Sequence, residues 1–551
     1  MQDRYTVAGL LRSWADARPE APMLVEGSTR RTWEEQYRRS CRVAQSLAAD
    51  GVGPGDRVAI LDRNGLAYFD LLFGGALIGA VNVAVNWRLA PPELGSVLDD
   101  STAKILVVHP DYLPALEAMP TDLPHVRRIV VLWDDALAAS TDGTGAGSVG
   151  GADPLMSTPR GVGFEAWLTG HSGEDPGHVA AADEVSLQLY TSGTTGLPKG
   201  VMLTNANLAT AMSEAGDTFR ISEDTVSLVA MPLFHIGGSG WALCGMSRGG
   251  VSVVLRDVDP SEIVRLVETE RITETFVVPA VLRILLDTPG IERADLSSLR
   301  TVFYGASPIS EDVLVSCLRV LGCDLAQVYG MTETTGAICS LAPGAHGPDG
   351  PRRHLLRSAG RPFPHVEIRI VDNDLGVDVP TGQVGEIWTR SPYNMSGYWG
   401  RPEETARTIS DDGWLRTGDA GFVDEEGYVF LHDRIKDMIV TGGENVYPAE
   451  VENVIMSHPD VQDAAVIGVP DERWGETVKA VVVAPAAGAP ASEERDRWVQ
   501  GVLGHCRERL AHYKCPTSVD VVDVLPRNPS GKVLKRELRR PYWEGETRSI
   551  S

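Results

Sequence analysis

The chain has no apolar run long enough to cross a bilayer, no paired cysteines and no excess of basic charge. Its longest apolar stretch, Leu71–Val81, contains Gly74, Gly75 and Gly79 and falls short of the roughly 20 residues a spanning helix needs, so it reads as a buried segment. Seven cysteines are scattered without a CxxC pair or zinc-type spacing, which implies no disulfide framework and fits reduced thiols in the cytoplasm. Asp and Glu number 75 against 50 Lys and Arg, a formal charge of −25, and this argues against nucleic acid or an anionic membrane surface as a partner. The amino-terminal MQDRYTVAGLLRSW has no signal-peptide core and Arg548–Ser551 is not a peroxisomal Ser-Lys-Leu address, so the expected location is cytoplasmic. No transmembrane segment is expected; peripheral membrane contact and oligomerisation stay open. A Walker A loop is also missing, as are internal repeats.

What the chain does have is Thr191–Gly200, reading TSGTTGLPKG. Gly193, Gly196 and Gly200 let backbone N–H groups turn toward a ligand, Ser192, Thr194 and Thr195 add hydroxyl donors, and Lys199 adds charge; together these suit a polyphosphate. Val185–Tyr190 before it alternates like a strand, and a helix can start after it with Thr204 or Asn205 as cap.

The 551 residues exceed what one hydrophobic core usually serves, about 250–300 residues, so several units are expected. Strand-like runs (Val58–Leu61, Ile105–Val108, Arg128–Leu132, Val226–Met231, Val251–Leu255) alternate with helical patterns (Trp33–Ala49, Pro260–Glu270), which defines an α/β chain. Ser140–Gly163 reads as an exposed insertion and Ala342–Arg353 as a Pro/Gly loop. The turn-rich, acidic Asp411–Gly427 closes the first unit. After a change of texture at Asp433–Asp437, a helix at Ala449–His458, strands at Ala464–Val469 and Val478–Val483, and a helix at Glu493–Leu510 form an α+β unit of ordinary domain size.

The chain resembles the adenylate-forming enzymes, a family that includes acyl-CoA synthetases, aryl-CoA ligases, carrier-loading adenylation domains and beetle luciferases. Beyond Thr191–Gly200 the resemblance rests on Met231–Gly238 (MPLFHIGG), Tyr304–Ser310 (YGASPIS), Gln327–Gly336 (QVYGMTETTG), Gly413–Asp419 (GWLRTGD), Asp433–Pro448 (DRIKDMIVTGGENVYP) and Asn528–Lys532 (NPSGK). It implies a large multi-subdomain amino-terminal AMP-binding domain (1–433), a hinge (434–437) and a small mobile carboxy-terminal lid (438–551). ATP, Mg2+ and CoA are the implied ligands.

The resemblance also implies roles. Lys532 would bring positive charge to the reacting carboxylate and phosphate, two anions that otherwise repel; the other reading of Lys532 is a basic tail with Lys535, Arg536, Arg539 and Arg540. Glu333 would hold Mg2+, with Thr191 as a further oxygen ligand and Thr332 and Lys199 on phosphate. Ala306, Ser307, Pro308, Gln327, Tyr329, Gly330 and Met331 would enclose adenine, Asp419 would accept the ribose hydroxyls, and Arg434 would contact the same nucleotide. Asp419 reads alternatively as a turn residue, Tyr329 as core and Arg434 as an exposed ion pair. Lys436 marks the hinge, about which rotation would replace Lys532 in the site with Thr441–Pro448, including Gly442, Gly443 and Glu444.

Trp474, in PDERWGE, either lines a pantetheine tunnel or is an ordinary buried tryptophan; Arg473 and Lys514 are candidates for the CoA phosphates. His235 either orients the acid or is a core histidine. The acid pocket is expected along Phe234–Ser239, Tyr304–Ala306 and Tyr329–Met331, where no basic side chain calls for a second carboxylate. A medium- or long-chain fatty acid transferred to CoA is the expected reaction. The alternatives are an aryl or unusual acid, an oxyanion such as nitrite, loading of a separate carrier protein, or a catalytically silent nucleotide-binding homologue.

Overall fold

The computed structural model describes residues 6–132, 161–191, 198–307, 309–372, 375–434, 437–441, 444–471, 474–485, 492–527 and 532–544. Two mixed sheets carry most of the large amino-terminal domain. One has nine strands, with Thr301–Gly305 flanked by Glu274–Val277 and Asp324–Met331 in parallel register. The other has eight and contains the antiparallel hairpin Val185–Thr191 and Lys199–Thr204. A four-stranded antiparallel sheet from Glu367–Val371 to Val429–Arg434 follows. The smaller carboxy-terminal domain has its own sheet, in which Asp463–Asp471 and Gly475–Val483 pair along their whole length and Ser518–Val522 lies parallel to the latter. Each domain has separate buried clusters.

Local chemistry explains the helices that brace these sheets. Trp33–Ala49 begins at a reciprocal cap in which the Thr32 hydroxyl accepts from Glu35 N–H and the Glu35 carboxylate accepts from Thr32 N–H. Thr204 and Asn207 repeat the device at the start of Asn205–Thr218. The apolar run at Leu71–Val81 is buried but not one element: it ends the helix Leu66–Ala76 and begins the strand Val81–Ala84. Its Gly74 allows a close approach to the helix Trp33–Ala49, since a Cβ there would lie 2.5 Å from Val43 Cγ1.

Three loop expectations change. Residues 140–160 of the expected insertion lie outside the described residues, but its last three, Gly161–Gly163, form an edge strand against Ile129–Val131. Within Asp411–Gly427, Leu415–Val423 is a strand, because it pairs on both sides in the antiparallel sheet. The Ala342–Arg353 stretch makes 3-10 turns and buries His346, whose Nε2 lies 3.0 Å from the Tyr304 hydroxyl. Among the described residues no helix is long and apolar enough to cross a membrane, and all seven cysteines are free.

Candidate active site

In an open α/β sheet, ligands gather beyond the carboxyl ends of parallel strands. The nine-stranded sheet places several of the candidate residues there. His235 follows the strand Val226–Val229, Ala306 and Ser307 follow Thr301–Gly305, and Thr332 and Glu333 follow Asp324–Met331. Ala306 has φ +65° and Thr335 φ +53°, a left-handed backbone that non-glycine residues seldom adopt and that clusters at functional sites. Gly330 is required by packing, since a Cβ there would lie 1.9 Å from the Gly336 carbonyl oxygen. Gln327 and Met331 are partly buried on the same strand. Pro308 and residues 192–197, which include Ser192, Gly193, Thr194, Thr195 and Gly196, lie outside the described residues.

Glu333 is 6 % exposed. Its Oε1 accepts from the Tyr398 hydroxyl at 3.0 Å and from the Thr191 hydroxyl at 3.4 Å, and its carbonyl accepts from Met395 N–H. Burial, then the neighbouring Glu333 carboxylate, pushes the Tyr398 phenol above its ordinary range, so it stays a donor. Lys199 Nζ lies 2.8 Å from Glu404 Oε2 and 5.2 Å from the centre of the Tyr398 ring. Among the described residues no group of three or more His, Cys, Asp or Glu side chains could hold a metal by itself. One buried carboxylate beside a hydroxyl is a hard oxygen donor set that fits Mg2+, an ion that keeps waters and takes further oxygens from phosphates.

Asp419, on the strand Leu415–Val423 of the four-stranded sheet, meets Tyr329 of the nine-stranded sheet. Its Oδ2 accepts from the Tyr329 hydroxyl at 2.9 Å, and its N–H donates to the Thr417 hydroxyl. Tyr329 is buried, and burial followed by the Asp419 charge raises its phenol well above the usual value. Gly418, at φ +70°, lies within the strand Leu415–Val423 at an irregularity in its pairing with Gly385–Arg390, just before Asp419. The backbone of Arg434 pairs with that of Asp419 in adjacent strands.

At the acid end, His235 Nε2 is buried and has no hydrogen-bond partner among the described residues. Burial, then Arg88, then Lys532 hold its pKa down to about 4, so the ring is neutral near pH 7. Lys532 of the small domain is therefore within electrostatic reach of His235, although exposed itself. The segments expected to line the acid pocket carry no Lys or Arg, but Arg88, from the loop after Val81–Ala84 and far from them in sequence, adds positive charge that bears on His235. Tyr304 is fully buried with its hydroxyl on His346, so its ring seals the core. Gly238 and Gly305 are backbone-crowded: a Cβ would lie 2.2 Å from the carbonyl oxygen of Pro232 or of Val328.

On the small domain Trp474 is 47 % exposed, which removes the buried-core reading. It precedes the strand Gly475–Val483, while exposed Tyr513 precedes the parallel partner Ser518–Val522, so both aromatics occupy one end of that sheet. Lys514 is tied to Glu450 by two contacts of 2.7 and 2.8 Å. Arg473, Lys436, Gly442 and Gly443 lie outside the described residues. The sequence reading missed Tyr398, Glu404 and Arg88. Tyr398 and Arg88 lie in turn-rich stretches and Glu404 on the short helix Pro402–Thr408, and pairing of Gly397–Tyr398 with Val201–Met202 is what brings Tyr398 and Glu404 to the site.

This arrangement is that of an adenylate-forming acyl ligase. The family profile described as AMP-binding enzyme matches residues 11–399, and that described as AMP-binding enzyme C-terminal domain matches residues 450–532; the chain belongs to the AMP-binding enzyme family. It is 41 % identical to a fatty acid–[acyl-carrier-protein] ligase of Streptomyces coeruleorubidus over 543 residues, covering 98 % of this chain and 96 % of the relative. It is 39 % identical to a feruloyl-CoA synthase of an Amycolatopsis species, covering 97 % and 99 %. Among solved structures, an anthranilate CoA ligase in complex with anthranoyl-AMP superposes with a TM-score of 0.85 at 25 % identity, covering 98 % and 97 %.

Proposed function

We propose that the protein activates a carboxylic acid with ATP and passes the acyl group to the thiol of a phosphopantetheine-bearing acceptor, CoA first among them, with a medium- or long-chain fatty acid as the acid. The observation that best supports this reading is the buried Glu333 carboxylate, which accepts from the Tyr398 and Thr191 hydroxyls beside Lys199, an oxygen donor and a cation together at the end of the parallel strands. A carboxylate oxygen attacks the α-phosphorus of ATP, a P–O bond forms and the bond to pyrophosphate breaks. Lys532 offsets the repulsion between the two anions at that moment. His235, neutral, orients the acid without adding charge.

Asp419, oriented by Tyr329, accepts from the ribose hydroxyls, and Lys199 takes the polyphosphate. Glu333 and Thr191 are the residues that would hold Mg2+, which when bound neutralises phosphate charge. Rotation at 434–437 then exchanges Lys532 for the acceptor side of the lid, the acceptor sulfur attacks the acyl carbon, and AMP leaves with the former carboxylate oxygen. Exposed Trp474 and Tyr513 suit an amphipathic pantetheine arm. The second reading, loading of a separate carrier protein, is favoured by the 41 % identical ligase that is named for such an acceptor.

Pyrophosphate release measured over a panel of fatty and aryl acids, with CoA, with an acyl-carrier protein and with neither, tests the proposal. A rising response with chain length and AMP formation dependent on CoA are expected. Response to aryl acids alone overturns the fatty-acid assignment, and turnover with the carrier alone replaces CoA.

A further inference from the structure

Lys199, the proposed polyphosphate cation, already has a partner. Its ammonium lies 2.8 Å from Glu404 Oε2, with the two side chains only 14 and 20 % exposed. Among the described residues no hydrogen bond is aligned on that oxygen, so charge holds the pair rather than a directed bond. The pair sits beside the other half of the phosphate apparatus, because the Tyr398 ring under Lys199 sends its hydroxyl to Glu333.

Glu404 cannot follow Lys199 far. It belongs to the short helix Pro402–Thr408, and the segment just before that helix is pinned at several points. Gly397 and Tyr398 pair with Met202 and Val201, and Trp399 N–H donates to the Gly200 carbonyl at 2.8 Å. The Trp399 indole donates to the Asp100 carbonyl at 3.0 Å, and Arg401 meets the Asp100 carboxylate at 2.6 Å. Lysine has the long flexible stem and glutamate the fixed base, so when a polyphosphate arrives it is Lys199 that moves. An anionic phosphate chain brought to Lys199 also meets the Glu404 charge, and like charges in a largely buried place repel.

We propose that Glu404 is a resident counter-ion that holds Lys199 when no polyphosphate is bound, yields it to the β- and γ-phosphates of ATP, and recaptures it as pyrophosphate leaves. Glu404 thereby competes with the product for one cation and hastens its release. The ligand class it acts on is the inorganic pyrophosphate unit, free or as the tail of ATP. AMP and the acyl adenylate, which lack that unit, do not compete with it. The inference rests on Lys199 being the polyphosphate cation.

The test is equilibrium binding of pyrophosphate, ATP and AMP to the full chain, with Glu404→Gln, Glu404→Asp and Lys199→Ala. In Glu404→Gln, pyrophosphate and ATP are expected to bind about tenfold more tightly while AMP is unchanged, and product inhibition by pyrophosphate deepens in step. Glu404→Asp, whose carboxylate sits one methylene further back, gives a smaller gain in the same order. Adding Lys199→Ala abolishes the gain. Weaker polyphosphate binding in Glu404→Gln overturns the proposal and makes Glu404 a group that poses Lys199 for ATP; equal weakening of ATP and AMP overturns it as a packing effect; unchanged binding overturns it outright. If Lys199→Ala alone leaves ATP binding intact, the reading of Lys199 itself falls, whatever Glu404 does.

Discussion

The proposed nucleotide end of the site and the proposed acceptor edge of the small domain are built in opposite ways. Around Glu333, Tyr398, Lys199 and Tyr329 every named side chain is at least partly buried and held by a partner from a distant part of the chain. At the acceptor edge Trp474 and Tyr513 stand exposed. Preorganised dipoles and charges cost nothing to align at the moment of reaction, which suits a step in which charge must be balanced on phosphate. An exposed edge suits a surface that must leave one place and arrive at another. On the proposed mechanism the contrast separates the two half-reactions: adenylate formation draws mainly on the fixed groups of the large domain, and thiol transfer would be completed by movement of the small one.

The strongest way to break this comparison is at Lys532, the small-domain residue proposed to act in the fixed half. Lys532→Ala is expected to slow adenylate formation by on the order of 10²–10³, the size seen when a preorganised charge is lost, while acyl transfer from supplied acyl-AMP continues. Pyrophosphate release and thioester formation measured separately decide it; equal loss in both would assign Lys532 to the fold. Next in size is Tyr329→Phe, which removes one hydrogen bond to the Asp419 carboxylate. KM for ATP should rise about tenfold, since bonds to charged groups contribute roughly 1.5–3 kcal/mol, with KM for the acid little changed. A matching rise in both KM values would mean that Tyr329 supports the sheet rather than the ribose acceptor.

Trp474→Ala should have a smaller and complementary effect: about two- to tenfold in KM for the thiol acceptor, as one aromatic contact is lost, with adenylate formation untouched. Loss of adenylate formation instead would erase the distinction between fixed and mobile halves.

Much of this architecture can be read from sequence because it is local. The helices Trp33–Ala49 and Pro260–Glu270 have the expected bounds, each with an acceptor side chain at its cap, and the run expected to be a strand ahead of the Gly-rich loop is one, Val185–Thr191, although its polar as well as its apolar positions are buried. Motifs at strand ends likewise brought Glu333, Ala306 and His235 to one side of the nine-stranded sheet. What could not be read depends on pairings across long separations. Glu404 and Tyr398 reach Lys199 and Glu333 because Gly397–Tyr398 pairs with Val201–Met202, and nothing within either segment specifies that register. Crowding is equally hidden: Gly238 and Gly305 lie in segments expected to line the acid pocket, yet the space beside each is filled by a backbone carbonyl. The acid pocket therefore cannot be narrowed by enlarging either residue without displacing backbone.

The subtlest expected effect is on pH dependence, and it tests whether His235 belongs with the fixed half. Its pKa is held at about 4, from an ordinary 6.5, first by burial and then by Arg88 and Lys532. A histidine that is neutral when folded but protonated when unfolded binds more protons in the unfolded chain below pH 6.5. Its contribution is therefore fully present above pH 6.5 and is lost as pH falls from there toward 4, by at most about 1.4 kcal/mol per pH unit. Urea unfolding of the wild type and of His235→Gln should show a stability difference that is flat from pH 7 to 9 and declines in the wild type below 6.5. Imidazole resonances should place the His235 titration near pH 4, moving upward in Lys532→Ala as one of the opposing charges is removed. An unshifted His235 titrating near 6.5 in both proteins would mean that it meets solvent rather than the acid and that Lys532 does not approach it.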